Sequence, residues 1–89
     1  MMLKATIEIY QKGKWFVAKI PELDFIAQGR TIEEAKSSLA EVADIQFREM
    51  KELGTLEEYL AECGYIVKDD MAEPENRMIS LESGSFQVL

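Results

Sequence analysis

The chain has 89 residues, 47% of them apolar, and a formal net charge of −7. That length holds one small domain, and that apolar content excludes global disorder. The charge is uneven, net +3 over residues 1–20 and net −10 over residues 21–89, which disfavours nucleic acid as a direct partner and suits a basic protein.

Leu3, Ala5, Ile7 and Ile9 alternate with Lys4, Thr6, Glu8 and Tyr10. This period of two predicts a half-buried strand. Residues 11–14 contain Gly13 and predict a hairpin turn. Trp15 to Ile20 form a second strand whose apolar run leaves its buried face ambiguous. The short spacing favours an antiparallel pair. Pro21 removes a donor N–H and stops this strand. Glu22, Leu23 and Asp24 turn the chain into a third short strand, Phe25 to Gln28. Gly29 is expected to let the chain turn sharply into a helix.

That helix is predicted over residues 31–53. Thr31 and Glu34 have the spacing of a capping box, in which a hydroxyl and a carboxylate satisfy two orphan N–H groups. Ile32, Ala35, Leu39, Val42, Ala43, Met50 and Leu53 follow in steps of three and four. They make one apolar stripe, interrupted by Gln46 and widened by Phe47. Gly54 ends the helix. Thr55 and Glu58 suggest a second capping box for a short helix over residues 55–63, closed by Gly64. Tyr65, Ile66 and Val67 are strand-like. Residues 69–76 are polar and read as a mobile linker. Met78 to Leu81 and Phe86 to Val88, separated by a turn containing Gly84, predict a strand or hairpin within residues 77–89.

The expected fold class is α+β. A three-stranded antiparallel sheet is packed by one long helix, then come a short helix and one or more C-terminal strands. One domain spans residues 1–89, with its core in residues 1–68.

The residues offer little chemistry. There is no histidine, so the usual neutral-pH base and the commonest metal ligand are missing. Cys63 is the only cysteine and follows Glu62, which disfavours a thiolate. Glu33–Glu34 and Glu57–Glu58 open helices, where the macrodipole accounts for them. Asp69, Asp70 and Glu73 are oxygen ligands in principle, but their spacing matches no metal loop. No glycine-rich phosphate cradle exists. No catalytic, cofactor-binding or metal residue is therefore assigned. Tyr10, Trp15, Phe16, Tyr59 and Tyr65, with Lys4, Lys12, Lys14 and Lys19 as a small positive patch, raise base stacking as a question. The plainer expectation is a pinned sheet with a lysine-dressed edge. Met1 to Ala5 lead straight into the alternating run, with no segment of signal-peptide character. No apolar run approaches the ~20 residues that cross a bilayer. A lone cysteine adds to the expectation of a reducing cytoplasm.

Gly13, Trp15, Val17, Ala18, then Pro21-Glu22-Leu23, then Gly29, Thr31, Glu33, Glu34 and Ala35 resemble the HicB-like antitoxin family. The likeness covers about residues 3–50. It extends more weakly to the run from Gly54 to Tyr65. It implies a partly degraded ribonuclease-H-like fold with a three-stranded sheet, a helix and a further strand, and no catalytic residues. It also implies a non-enzymatic inhibitor that binds a small basic RNA-cleaving toxin and self-associates. The family-like positions are Gly13, Trp15, Pro21, Glu22, Leu23, Gly29, Thr31, Glu34 and Ala35, and their implied roles are architectural. Two departures stand out. Asp24-Phe25-Ile26-Ala27 replaces the family's usual segment with proline, glycine and often cysteine. Residues 66–89 hold no helix-turn-helix or ribbon–helix–helix pattern, so operator binding is not expected.

The function classes are thus an antitoxin-like inhibitor and, in its place, a self-associating adaptor. The run from Trp15 to Ala18 puts apolar groups on both faces of the sheet, and one helix covers one face. A homodimer is the expected remedy. The alternative is that the short helix and residues 78–89 fold back over the second face.

Overall fold

Two three-stranded sheets back one layer of helices. The computed structural model describes residues 1–89. Its elements run β1 (Met2–Leu3), β2 (Glu8–Lys12), β3 (Trp15–Ile20), β4 (Phe25–Gly29), α1 (Ile32–Leu53), α2 (Leu56–Glu62), β5 (Tyr65–Lys68) and β6 (Met71–Pro74). One sheet has the antiparallel order β2-β3-β4. The other has the order β1-β6-β5, with β1 parallel to β6 and β6 antiparallel to β5.

Thr31 is extended, and its hydroxyl accepts the Glu34 N–H at 3.0 Å. Only this arm of the expected capping box is made. Gly54 closes α1 at φ 73°, with its N–H on the Lys51 carbonyl at 3.2 Å. α1 lies on β4 and β3. Ala35 and Leu39 are buried there, and Val42, Ala43, Phe47 and Met50 are packed at the margin. Facing them are Ala18 and Ile20 of β3 and Phe25 of β4. Leu23, Leu60, Tyr65 and Ala72 complete the core. Burying a leucine fully contributes roughly 1.5–3 kcal/mol, so Leu23, Leu39 and Leu60 are its main anchors.

Five expectations are corrected. The single strand over residues 3–10 is two strands with a break at residues 4–7. The Glu22 carboxylate accepts the Thr6 N–H at 3.0 Å and the Thr6 hydroxyl at 2.6 Å. That bond replaces a ladder partner and redirects the chain from β6 to β3, leaving Ala5 and Ile7 exposed. Next, Ile32 and Leu53, the ends of the apolar stripe, are exposed. A 22-residue helix is roughly 33 Å long, whereas a five-residue strand is roughly 17 Å, so α1 overhangs its sheet.

The third correction is at Thr55, which makes no side-chain cap. Its hydroxyl turns back to the Met50 carbonyl at 3.5 Å, because α2 follows α1 with no extended residue between. Fourth, residues 69–76 are no linker. Asp69 and Asp70 form a two-residue turn, with φ 51° and 64°, between β5 and β6. Positive φ at both positions is the hairpin turn that suits strand twist, and aspartate tolerates it. Last, residues 77–89 form no strand or hairpin. The Glu75 N–H closes on the Gly64 carbonyl at 2.8 Å, and no backbone hydrogen bond follows. The segment does not fold back over the sheet, and its large apolar side chains are exposed.

Two tyrosines tie the layers together. The Tyr59 hydroxyl donates to the Leu23 carbonyl at 2.6 Å, and its ring stacks on Phe25. The Tyr65 hydroxyl donates to the Lys4 carbonyl at 2.8 Å. Burial, with the nearby Glu22 carboxylate and Cys63 sulfur adding to it, pushes the Tyr65 phenol up to about 12. An unfolded chain releases that proton near 10. The stabilisation is therefore complete below about pH 10 and is lost as the pH rises from about 10 to about 12. Urea unfolding at pH 9 and 11.5 should show wild type losing ~1–2 kcal/mol more than Tyr65→Phe, after allowance for solvent screening. Equal losses in the two proteins would refute this.

Candidate interaction surfaces

The strand registers decide which side chains are left open. Ile9, Phe16, Ala18, Ile20, Phe25, Ala27 and Gly29 share the face toward α1. Alternation then places Tyr10, Lys12, Trp15, Val17, Lys19, Ile26 and Gln28 on the opposite face. No element covers that face. Lys19 sits over the Tyr10 ring at 5.4 Å, and Arg30 over the Trp15 ring at 5.5 Å. Glu8 accepts the Tyr10 hydroxyl at 3.0 Å and holds that phenol above its ordinary range. The open face is thus aromatic and mildly basic. Lys4, grouped with the hairpin lysines by sequence, lies elsewhere and pairs with Glu73 at 3.5 Å.

The helical layer has the opposite sign. Glu41, Glu49 and Glu52 on α1 and Glu57, Glu58 and Glu62 on α2 are exposed. Asp44 pairs with Arg48, and Glu33 with Lys36 at 3.9 Å. A groove of about 540 Å³ opens where the end of α1, α2 and β1 meet. Met1, Leu3, Phe47, Leu56 and Leu60 supply its apolar wall, and Asp44, Arg48, Lys51 and Glu57 its rim. An apolar hollow with a charged rim accepts a side-chain anchor from a protein partner.

The family-like residues do not converge on one site. Gly13 is at the tip of the β2–β3 hairpin at φ 62°. Trp15 is on the open face. Pro21, Glu22 and Leu23 make the β3–β4 turn, where Glu22 braces Thr6 and Leu23 is buried. Gly29, Thr31, Glu34 and Ala35 meet where β4 enters α1. Gly29 keeps an extended backbone there, so its expected role as a sharp turn is corrected. A Cβ on Gly29 would lie 2.6 Å from the Ala35 nitrogen and 2.8 Å from the Glu34 carbonyl carbon. The glycine admits the helix backbone rather than bending the strand.

The acidic groups raised as cation ligands have other roles. Asp69 and Asp70 form the hairpin turn, Asp70 lies 3.2 Å from the Met1 amine, and Glu73 holds Lys4. Cys63 is half-buried at the end of α2. Burial, with Cys63 beside it, raises the Tyr59 phenol, so it stays protonated at neutral pH. Sequence reasoning missed Arg30, whose place over Trp15 depends on β4 lying beside β3. It also missed the Glu22–Thr6 bond, which no local spacing signals. No helix is long and apolar enough to cross a membrane. Comparison with known protein families, with curated proteins and with solved structures finds no match.

Proposed function

We propose that this chain is a non-enzymatic protein-binding domain, an antitoxin-like inhibitor that holds a small basic RNA-cleaving protein in a reducing cytoplasm. The acidic helical layer carries the reading. Glu41, Glu49 and Glu52 on α1 and Glu57, Glu58 and Glu62 on α2 are exposed and outside its ion pairs, and Glu57 lines the groove at Phe47, Leu56 and Leu60. Such a field steers a cationic partner, and the groove supplies a desolvated anchor point. The resemblance adds the identity of the partner as an RNA-cleaving toxin. It is supported by the chain order of a three-stranded sheet, a long helix and further strands. Inhibition is by occlusion, since the chain has no histidine and its buried phenols stay protonated. Operator binding is not part of this reading.

The test is capture from the source cell followed by an activity assay. The expected product is a basic protein that cleaves RNA alone and stops at one equivalent of this chain. Glu49→Lys combined with Glu57→Lys should weaken capture at least about tenfold at low salt, and Lys19→Glu should not. Captured proteins without RNA cleavage, or with cleavage that the chain leaves untouched, would favour the self-associating adaptor instead. By itself the purified chain should cleave neither RNA nor DNA, with or without magnesium. Turnover that survives stringent purification and vanishes in Asp69→Asn or Asp70→Asn would overturn the non-enzymatic reading.

A further inference from the structure

The chain as a whole repels phosphate, but its open sheet face does not. Tyr10 and Trp15 on that face are 47% and 40% exposed. Lys12, Lys19 and Arg30 are exposed beside them, and Lys14 stands at the hairpin tip. None of these four cations is in an ion pair. The registers put one carboxylate on the face, Glu8 opposite Lys19, and it accepts the Tyr10 hydroxyl. Four cations against one carboxylate give the face a net +3 on a chain of −7.

The arrangement repeats. Lys19 lies 5.4 Å from the centre of the Tyr10 ring, and Arg30 lies 5.5 Å from that of Trp15. Tyr10 is opposite Val17, which is two residues along β3 from Trp15. The two rings are thus diagonal neighbours on adjacent strands, with backbones roughly 7–8 Å apart. Each unit pairs one π face with one cation. A nucleotide pairs one π face with one negative charge. A sheet of the RNA-recognition type stacks two or three bases on aromatics placed this way. An acidic protein would meet the cations, but it has no planar group for each ring. A duplex has the charge, but stacking closes the faces of its bases.

We infer that the open face of β2-β3-β4 binds single-stranded RNA, with two successive bases stacked on Tyr10 and Trp15 and the phosphates met by Lys12, Lys19 and Arg30. RNA is the nucleic acid whose loops and ends display unpaired bases. Lys19 and Arg30 are exposed on long side chains, so they leave the rings for the phosphates as the bases arrive. The cation–ring contacts given up are weak at an exposed site. This face lies across the sheet from the acidic helical layer, so it does not depend on the proposed inhibitory function.

Trp15 is the one tryptophan of the chain, and its fluorescence reports on the face directly. The full chain is titrated with an RNA of about twelve nucleotides that cannot pair with itself. Quenching should saturate below about 100 µM at low salt. Affinity should fall with salt at a log–log slope of about −2, as for three phosphates on a single strand. Tyr10→Ala should weaken binding at least about fivefold through lost stacking. Lys19→Glu/Arg30→Glu should weaken it at least about tenfold. Lys51→Glu/Lys68→Glu makes the same charge change away from the face and should stay within about threefold. Circular dichroism checks that each variant is folded. No quenching by about 100 µM overturns the inference, and so do equal losses in the two charge variants. Tighter binding of a duplex RNA, or of the same sequence as DNA, also overturns it. Equal quenching by a polyglutamate peptide would assign the face to an acidic protein instead. Emission that shifts with chain concentration alone would give the face to a second copy and overturn the inference as well.

Discussion

Gly29→Ala should cost about 3 kcal/mol, the upper end for forcing a methyl group into packed surroundings. The two nearest atoms it would meet are backbone, the Ala35 nitrogen at 2.6 Å and the Glu34 carbonyl carbon at 2.8 Å, and the third is the Glu34 Cβ at 2.9 Å, which the helix backbone fixes. A flexible side chain would move aside, but the first turn of α1 cannot move without loosening the Thr31 cap and lifting Ala35 from the core. A chain of this size has on the order of 5–10 kcal/mol of stability in all, so the loss is large. Denaturant unfolding measures it. Adding Ala35→Gly should give no rescue, since the obstacle is not the Ala35 methyl. A loss below about 0.5 kcal/mol would mean that α1 slides freely on β4, contrary to the close seat described above.

Leu39→Ala should cost ~2–5 kcal/mol. Leu39 is 2% exposed near the middle of α1, among Ala18, Phe25 and Ala35 in one core cluster. Deleting its branch removes apolar transfer energy and leaves a cavity that a two-layer fold cannot easily collapse around. At roughly 4–8 °C per kcal/mol for a domain of this size, the midpoint should fall by at least about 10 °C. Two controls separate packing from helix propensity. Leu39→Met conserves volume and should cost less than ~1.5 kcal/mol. Ile45→Ala, on the exposed side of the same helix, should stay within about 0.5 kcal/mol. A Leu39→Ala midpoint within 2 °C of wild type would show that α1 is not seated through this residue.

The contrast between Leu39 and Ile32 shows how far periodicity reaches. Both lie on the predicted stripe, yet Leu39 is buried and Ile32 is exposed. A 3.6-residue period tells which side of a helix is apolar, not where the supporting sheet ends. Gly29 makes the same point for a single residue. Its position before the cap suggested a bend, whereas its reason is a close approach between backbones. The two signs of surface charge were present in the sequence as a basic start and an acidic remainder. Their separation onto an aromatic sheet face and a helical layer came from the strand registers. Arg30 belongs to the acidic remainder by position and to the basic face by geometry.

The chain by itself determined its local elements. The hydroxyl of Thr31 reaches three residues ahead, Gly54 takes a conformation costly for other residues, Gly13 leads a two-residue turn, and Pro21 removes a donor where β3 ends. Each of these acts within about four residues, so each is written in adjacent letters. Only the tertiary structure decided the rest. β1 pairs in parallel with β6, Met2 opposite Met71, across nearly the whole sequence. The first strand breaks because Glu22, 16 positions away, binds Thr6. The β5–β6 hairpin stands on two aspartates whose positive φ no local pattern announced. Such pairings depend on closing long loops and on burying Tyr65 and Ala72 against α2 and the rest of the core. Their free energy belongs to the assembled layers and to no single stretch of sequence.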